Sequence, residues 1–187
     1  GITFKPIGKT YKFKGVIDGD GHCLNNLTII NEDGSENTGL VSFLYQGTIK
    51  NLGIESGTVS GAGKTGALAG RTMYATILNC YSKADVSGTN DVGGLVGMFN
   101  NSTLANCFVW GTITGNKSVA GLMGSANASI DPSYPAYIGN CYANVTVTAK
   151  ENGALLSGWD EAPHGFPLTW ENLYYVKGKT PIANNPD

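Results

Sequence analysis

Asp18-Gly19-Asp20-Gly21-His22 places two carboxylates and an imidazole at alternate positions of a glycine loop. Calcium takes oxygen ligands from loops of this kind. The EF-hand order of ligands is absent, so the segment reads as a turn leading into the first repeat. Gly61-Ala62-Gly63-Lys64-Thr65 ends like a phosphate-binding loop, but Thr58 stands where the motif needs its first glycine and no helical pattern follows. It reads as a corner loop. His22 and His164 are the two histidines, and no serine stands in a nucleophile-elbow context. Arg71 is the only arginine, and Asp85, Asp91, Asp131, Asp160 and Glu161 share no repeat position. These residues predict neither a catalytic cluster nor a metal site nor a cofactor. The reading is non-catalytic; a polysaccharide lyase or glycosidase is the alternative, by analogy of fold alone.

Cys80, Cys107 and Cys141 each follow an asparagine, whereas Cys23 does not. Equivalent positions on stacked strands lie about 4.8 Å apart. A disulfide wants its β-carbons nearer about 3.8 Å. The three are therefore expected to be free thiols in a buried column.

Such a column requires a repeating body, and the repeats are visible. Asn26-Leu27, Asn51-Leu52, Asn79-Cys80, Asn106-Cys107, Asn140-Cys141 and Asn172-Leu173 follow one another at steps of 25, 28, 27, 34 and 32 residues. Five runs lead the last five of them: Gly39-Leu40-Val41-Ser42, Gly66-Ala67-Leu68-Ala69-Gly70, Gly94-Leu95-Val96-Gly97, Gly121-Leu122-Met123-Gly124 and Gly153-Ala154-Leu155-Leu156-Ser157. A fixed period of a few tens of residues marks a solenoid. Low charge (14%), 27 glycines and no helical periodicity favour strands over helices. The expected fold is an all-β, right-handed parallel β-helix of about six coils.

Alternation assigns the faces, because a strand repeats every two residues. Positions one and three after each asparagine (Leu52 and Ile54, Cys107 and Val109) are expected inward. By the same rule Leu27 and Ile29 point inward in the first coil and Tyr175 in the last. The residues between (Thr28, Gly53, Tyr81, Phe108, Tyr142, Tyr174) are expected outward as an aromatic strip. Val59, Val86, Ile113 and Val147 form a further inward column between outward Thr and Ser residues. The asparagines are expected to form a buried amide ladder, and the glycines to supply positive φ or close approach at corners. Outward Thr-x-Thr rows also suit ice binding, a remote alternative broken at Asp85.

Gly-Leu-apolar-Gly, then Asn-Cys-Tyr, then a Thr/Val strand and glycine resembles the GLUG repeat family. The opening Phe4-Lys5-Pro6-Ile7-Gly8 and the stretch from Phe13 to His22 resemble the segment that precedes such repeats. The resemblance implies a bacterial cell-surface or secreted protein, adhesin-like, and also the non-catalytic parts of immunoglobulin-A-cleaving peptidases. It carries no catalytic residues.

Two coils are lengthened between the glycine run and the asparagine, at Asn127-to-Ile138 and Trp159-to-Trp170. Insertions on a solenoid gather on one face, often a binding face. The candidate ligand-binding residues are Tyr134, Tyr137, Trp159, Asp160, His164, Phe166 and Trp170, with rings to stack on a sugar or peptide. The plainer use of these loops is to cover the open C-terminal edge. The domain is read as residues 1–30 leading in, 31–158 as repeats, and 159–187 as last coil and cap, a piece of a longer polypeptide. Expected partners are a glycan or host surface protein, together with flanking domains of the same chain. A net charge of −2 without a basic block argues against nucleic acid. No apolar run reaches the roughly 20 residues that span a bilayer.

Overall fold

In the computed structural model, residues 3–31, 36–128, 133–161 and 168–176 are described, and their regular structure is entirely β-strand. The chain winds as a right-handed parallel β-helix. Three sheets run along its axis. Sheet one is the largest, and its rungs include Thr48–Lys50, Thr76–Leu78, Thr103–Ala105, Ala136–Thr148 and Leu168–Tyr175. Sheet two stacks Val41–Tyr45, Ala69–Met73, Val96–Asn100, Met123–Asn127 and Ser157–Glu161. Sheet three stacks Asn37–Thr38, Lys64–Gly66, Asn90–Gly93, Lys117–Ala120 and Glu151–Ala154. Each coil visits sheet three, then two, then one. At the N-terminal end Ile7 bridges Val41 and Phe13 bridges Leu44, which begins a further layer.

The core is a set of straight columns. Ile49, Ile77, Leu104 and Ile138 stand in register, as do Val59, Val86, Ile113 and Val147, all at most 1% exposed. Each buried aliphatic side chain contributes roughly 1.5–3 kcal/mol. That burial exists only while the neighbouring coils are in place, so stability is a nearest-neighbour sum. Leu44, Thr72 and Phe99 form an inward column on sheet two. Thr72 Oγ1 is buried there without a hydrogen-bond partner.

The asparagine ladder is real, but it differs from expectation in two ways. Asn172 Nδ2 donates to Asn140 Oδ1, Asn140 to Asn106, Asn106 to Asn79 and Asn79 to Asn51, at 2.9–3.2 Å. Asn51 donates onward to Asp18 Oδ1 at 3.1 Å, so the sixth member is Asp18 and not Asn26. The Gly19-to-His22 turn lengthens the first coil and moves the later residues on. Leu27 and Ile29 consequently pair with Gly57 and Val59, in a different column. Asn26 instead pairs with Ser56, through its N–H and its Oδ1. Second, the ladder is solvent-facing rather than buried. Its five asparagines hold φ of 50–55°, a left-handed conformation that asparagine tolerates far better than most side chains. The residue type is thus fixed twice, by backbone and by amide.

Most glycines act by close approach and not through positive φ. A β-carbon on Gly97 would lie 2.4 Å from Thr65 N, and one on Gly124 2.2 Å from Val92 N. Bare backbone at these positions lets sheet two close onto sheet three one coil earlier.

Candidate functional site

The outer side of sheet two carries the most diverse chemistry. Phe43 and Tyr45 point outward from one strand, and their rings meet edge to face at 6.1 Å. Arg71 follows Phe43 in register, and its guanidinium lies 4.9 Å from the Phe43 centroid. Lys12 Nζ stands 4.5 Å over Tyr45 and 5.1 Å over Phe43, with Lys14 5.1 Å from Tyr45. Such cation–ring pairs contribute about 0.5–1 kcal/mol where exposed. Arg71 Nε is buried and has no hydrogen-bond partner.

The corner from sheet two into sheet one extends this surface. Gln46, Tyr74 and Asn101 turn it with φ of 52°, 55° and 38°. Tyr74 packs edge to face on Tyr45 at 5.9 Å. Tyr134, from the first lengthened coil, lies on Tyr74 with centroids 4.3 Å apart. Its hydroxyl is 3.4 Å from Gln46 Nε2, and Asn101 Nδ2 donates to its carbonyl at 2.8 Å. Tyr134 therefore runs back along the flank toward earlier coils and not over the C-terminal edge.

Of the other expected site residues, Tyr137 and Trp170 do not gather with it. Tyr137 projects from sheet one and donates to Glu171 Oε2 at 3.1 Å, which raises its phenol above the usual range. Trp170 follows Leu104 and Ile138 in register and packs against the core. Trp159 and Asp160 are strand residues paired with Ser125 and Ala126, so the second insertion begins later than the sequence suggested. His164 and Phe166 lie outside the described residues. Sequence reading missed Phe43, Tyr45, Arg71 and Tyr74. The signal present was the Phe43-x-Tyr45 alternation on an outward strand face.

The aromatic strip on sheet one stands in register through Tyr81, Phe108, Tyr142 and Tyr174, with Cys23 rather than Thr28 at its N-terminal end. Tyr81 and Phe108 stack at 4.7 Å with planes 2° apart. Tyr81 donates to Glu55 Oε2 at 2.8 Å, and Glu55, aided by burial, pushes the phenol up to about 12. Tyr175, expected inward, is 44% exposed on the last rung.

Cys80, Cys107 and Cys141 are free, buried and stacked, each donating to the carbonyl two residues earlier at 3.1–3.2 Å. Burial pushes Cys107 well above the usual thiol range, with its two thiol neighbours adding to the shift. Asp18 accepts from Asn51, Asp20 N and Lys50, which hold its carboxyl down to about 2. Its oxygens are engaged in closing a turn, the plainer of the two readings of that loop. Among the described residues no three of His, Cys, Asp or Glu converge as a metal-holding group.

Comparison with protein-family models, curated proteins and solved structures yields no match for this chain. The class is set by the fold itself, a right-handed parallel β-solenoid. Such a body is consistent with a scaffold or binding module.

Proposed function

We propose that this chain is a non-catalytic, adhesive module of a bacterial cell-surface or secreted protein, binding glycans through the corner of Phe43, Tyr45, Arg71, Tyr74 and Tyr134. The observation that carries the reading is Arg71, whose buried Nε lacks a partner beside the Phe43 ring. Buried donors without a partner are uncommon in folded proteins, and an acceptor supplied by a ligand is one way to complete this one. The exposed ring of Tyr134 supplies a platform for the C–H faces of sugars, and Lys12 and Lys14, held over Tyr45, favour acidic ones. The GLUG-like repeats support the bacterial surface setting and flanking domains on the same polypeptide. Loops and corners on a rigid scaffold are where binding usually sits.

The test is retention on an array of acidic and neutral glycans and mucins. The native protein should be held by acidic glycans, and Arg71→Gln and Tyr45→Ala should lose retention while keeping the native β-sheet spectrum. A native protein held by no glycan defeats the glycan reading. Undiminished retention of both variants moves the site to the Tyr81, Phe108 and Tyr142 strip.

A further inference from the structure

The closing of sheet two onto sheet three leaves a cleft on the outside of the fourth and fifth coils. Its volume is about 380 Å³. Sheet three contributes Asn90, Asp91, Lys117 and Ser118 to the wall; Met98, Ser125 and Asn127 come from sheet two. The cleft exists because Gly124 brings the two backbones together beside Asp91. Its sheet-two wall continues the outward column of Phe43 and Arg71, Met98 being next in register after Arg71, but no residue of the aromatic corner lines it.

One atom in the cleft points to a ligand. Ser125 is 3% exposed, it lines the cleft, and its Oγ has no hydrogen-bond partner. Buried hydroxyls are normally bonded, and an unbonded one destabilises the fold. In the same outward column as Asn127 stands Asn100, whose buried Oδ1 is also unpartnered. The cleft floor thus carries an unused hydroxyl with an unused carbonyl close by.

The lining defines the chemistry. One carboxylate and one ammonium cancel, so the cleft has no net charge to select an ion. Two carboxamides and two hydroxyls both donate and accept. Sugar hydroxyls also do both, and Met98 offers an apolar contact for a ring C–H face. The volume lies near the lower end of small-molecule sites, about 300–1,000 Å³. We propose that this cleft binds an uncharged saccharide of one or two pyranose rings, with Ser125 Oγ making the bond that fixes the ring. The site adjoins the aromatic corner but uses none of its residues, so it stands whether or not that corner binds glycans.

The experiment is a titration of the ¹⁵N-labelled protein with maltose, cellobiose, lactose and N,N′-diacetylchitobiose at millimolar concentrations. At least one is expected to shift the amides of Asn90–Gly93 and Met123–Asn127. Ser125→Ala should weaken that sugar about tenfold, the equivalent of about 1.4 kcal/mol. The same variant should melt no lower than the native protein, because its hydroxyl has no partner to lose. Sialyllactose is the charged control. The proposal fails if no neutral probe shifts those amides, or if Ser125→Ala binds as tightly as the native chain. It fails equally if Ser125→Ala melts lower, which means the hydroxyl is already bonded. Tighter binding of sialyllactose than of every neutral probe overturns the uncharged assignment.

Discussion

The ring of Tyr134 rests on that of Tyr74, 4.3 Å between centroids and 39° between planes, joining the first lengthened coil to a coil two turns earlier. Tyr74 does this from a left-handed backbone position, which costs a tyrosine about 1–2 kcal/mol. The contact is expected to offset part of that cost. A double-mutant cycle with Tyr74→Ala and Tyr134→Ala, read by denaturant unfolding, should give a coupling of about 0.5–1.5 kcal/mol. Strict additivity would mean that the rings are neighbours without being partners.

Asn106 separates backbone from amide. Asn106→Ala loses both the tolerance of φ 55° and the bonds to Asn79 and Asn140. Asn106→Gly loses only the bonds, each about 0.5–1.5 kcal/mol and near the low end because the ladder faces water. The melting loss should fall in the order Asn106→Ala, Asn106→Gly, Asn116→Ala, the last being close to zero because Asn116 is exposed between two strands. Equal melting of all three variants removes the ladder from the stability account.

Thr72→Val should raise stability. Thr72 is fully buried between Leu44 and Phe99, and its hydroxyl has no partner. Exchanging it for a methyl of the same shape removes a desolvated polar atom, a gain of about 1–2 kcal/mol in denaturant unfolding. A lower midpoint for the valine variant would show that the hydroxyl is bonded.

Asp18 makes stability depend on acid. Its folded value near 2 lies below the ordinary 3.8, so its contribution is complete above about pH 4 and disappears as pH falls toward 2. Asp18→Asn keeps an acceptor for Asn51 but cannot titrate. Melting temperature plotted against pH should therefore fall less steeply between 4 and 2 in the variant than in the native chain. Parallel curves would mean that Asp18 is not held by Asn51 and Lys50.

Thiol reactivity should divide one to three. Cys23 is exposed, whereas Cys80, Cys107 and Cys141 are buried. Ellman's reagent should titrate one thiol promptly in the native protein and four after unfolding without reductant. Fewer than four would place a disulfide in the column.

The period and the inward columns were legible because each repeat obeys the same steric rule. The first coil was misread at Asn26, and the reason is physical. Asn26 and Asn51 both occupy left-handed corners, with φ of 55° and 53°, and local chemistry does not say which corner of the coil is meant. Only the Gly19-to-His22 turn, whose length no pattern fixes, decides it. The glycine runs were legible as positions, but their use, backbone against backbone at Gly97 and Gly124, depends on the coil before. Tyr134 was singled out as an insertion aromatic, yet its contact with Gln46 spans 88 residues and leaves no local mark. Ser125 carries no sequence signal, since an unpartnered hydroxyl is a property of its surroundings.

The amide ladder also has a direction. From Asn172 onward each carboxamide hands a hydrogen to the coil before it, until Asn51 meets Asp18. A carboxylate has lone pairs but no hydrogen to pass on. Asp18 is thus a terminator in the chemical sense, as a chain-ending monomer is in a polymer. A coil grafted beyond Asn172 could join the ladder by offering an N–H, whereas one grafted ahead of Asp18 would find no donor there. For anyone building longer solenoids from this chain, the ladder extends one way only.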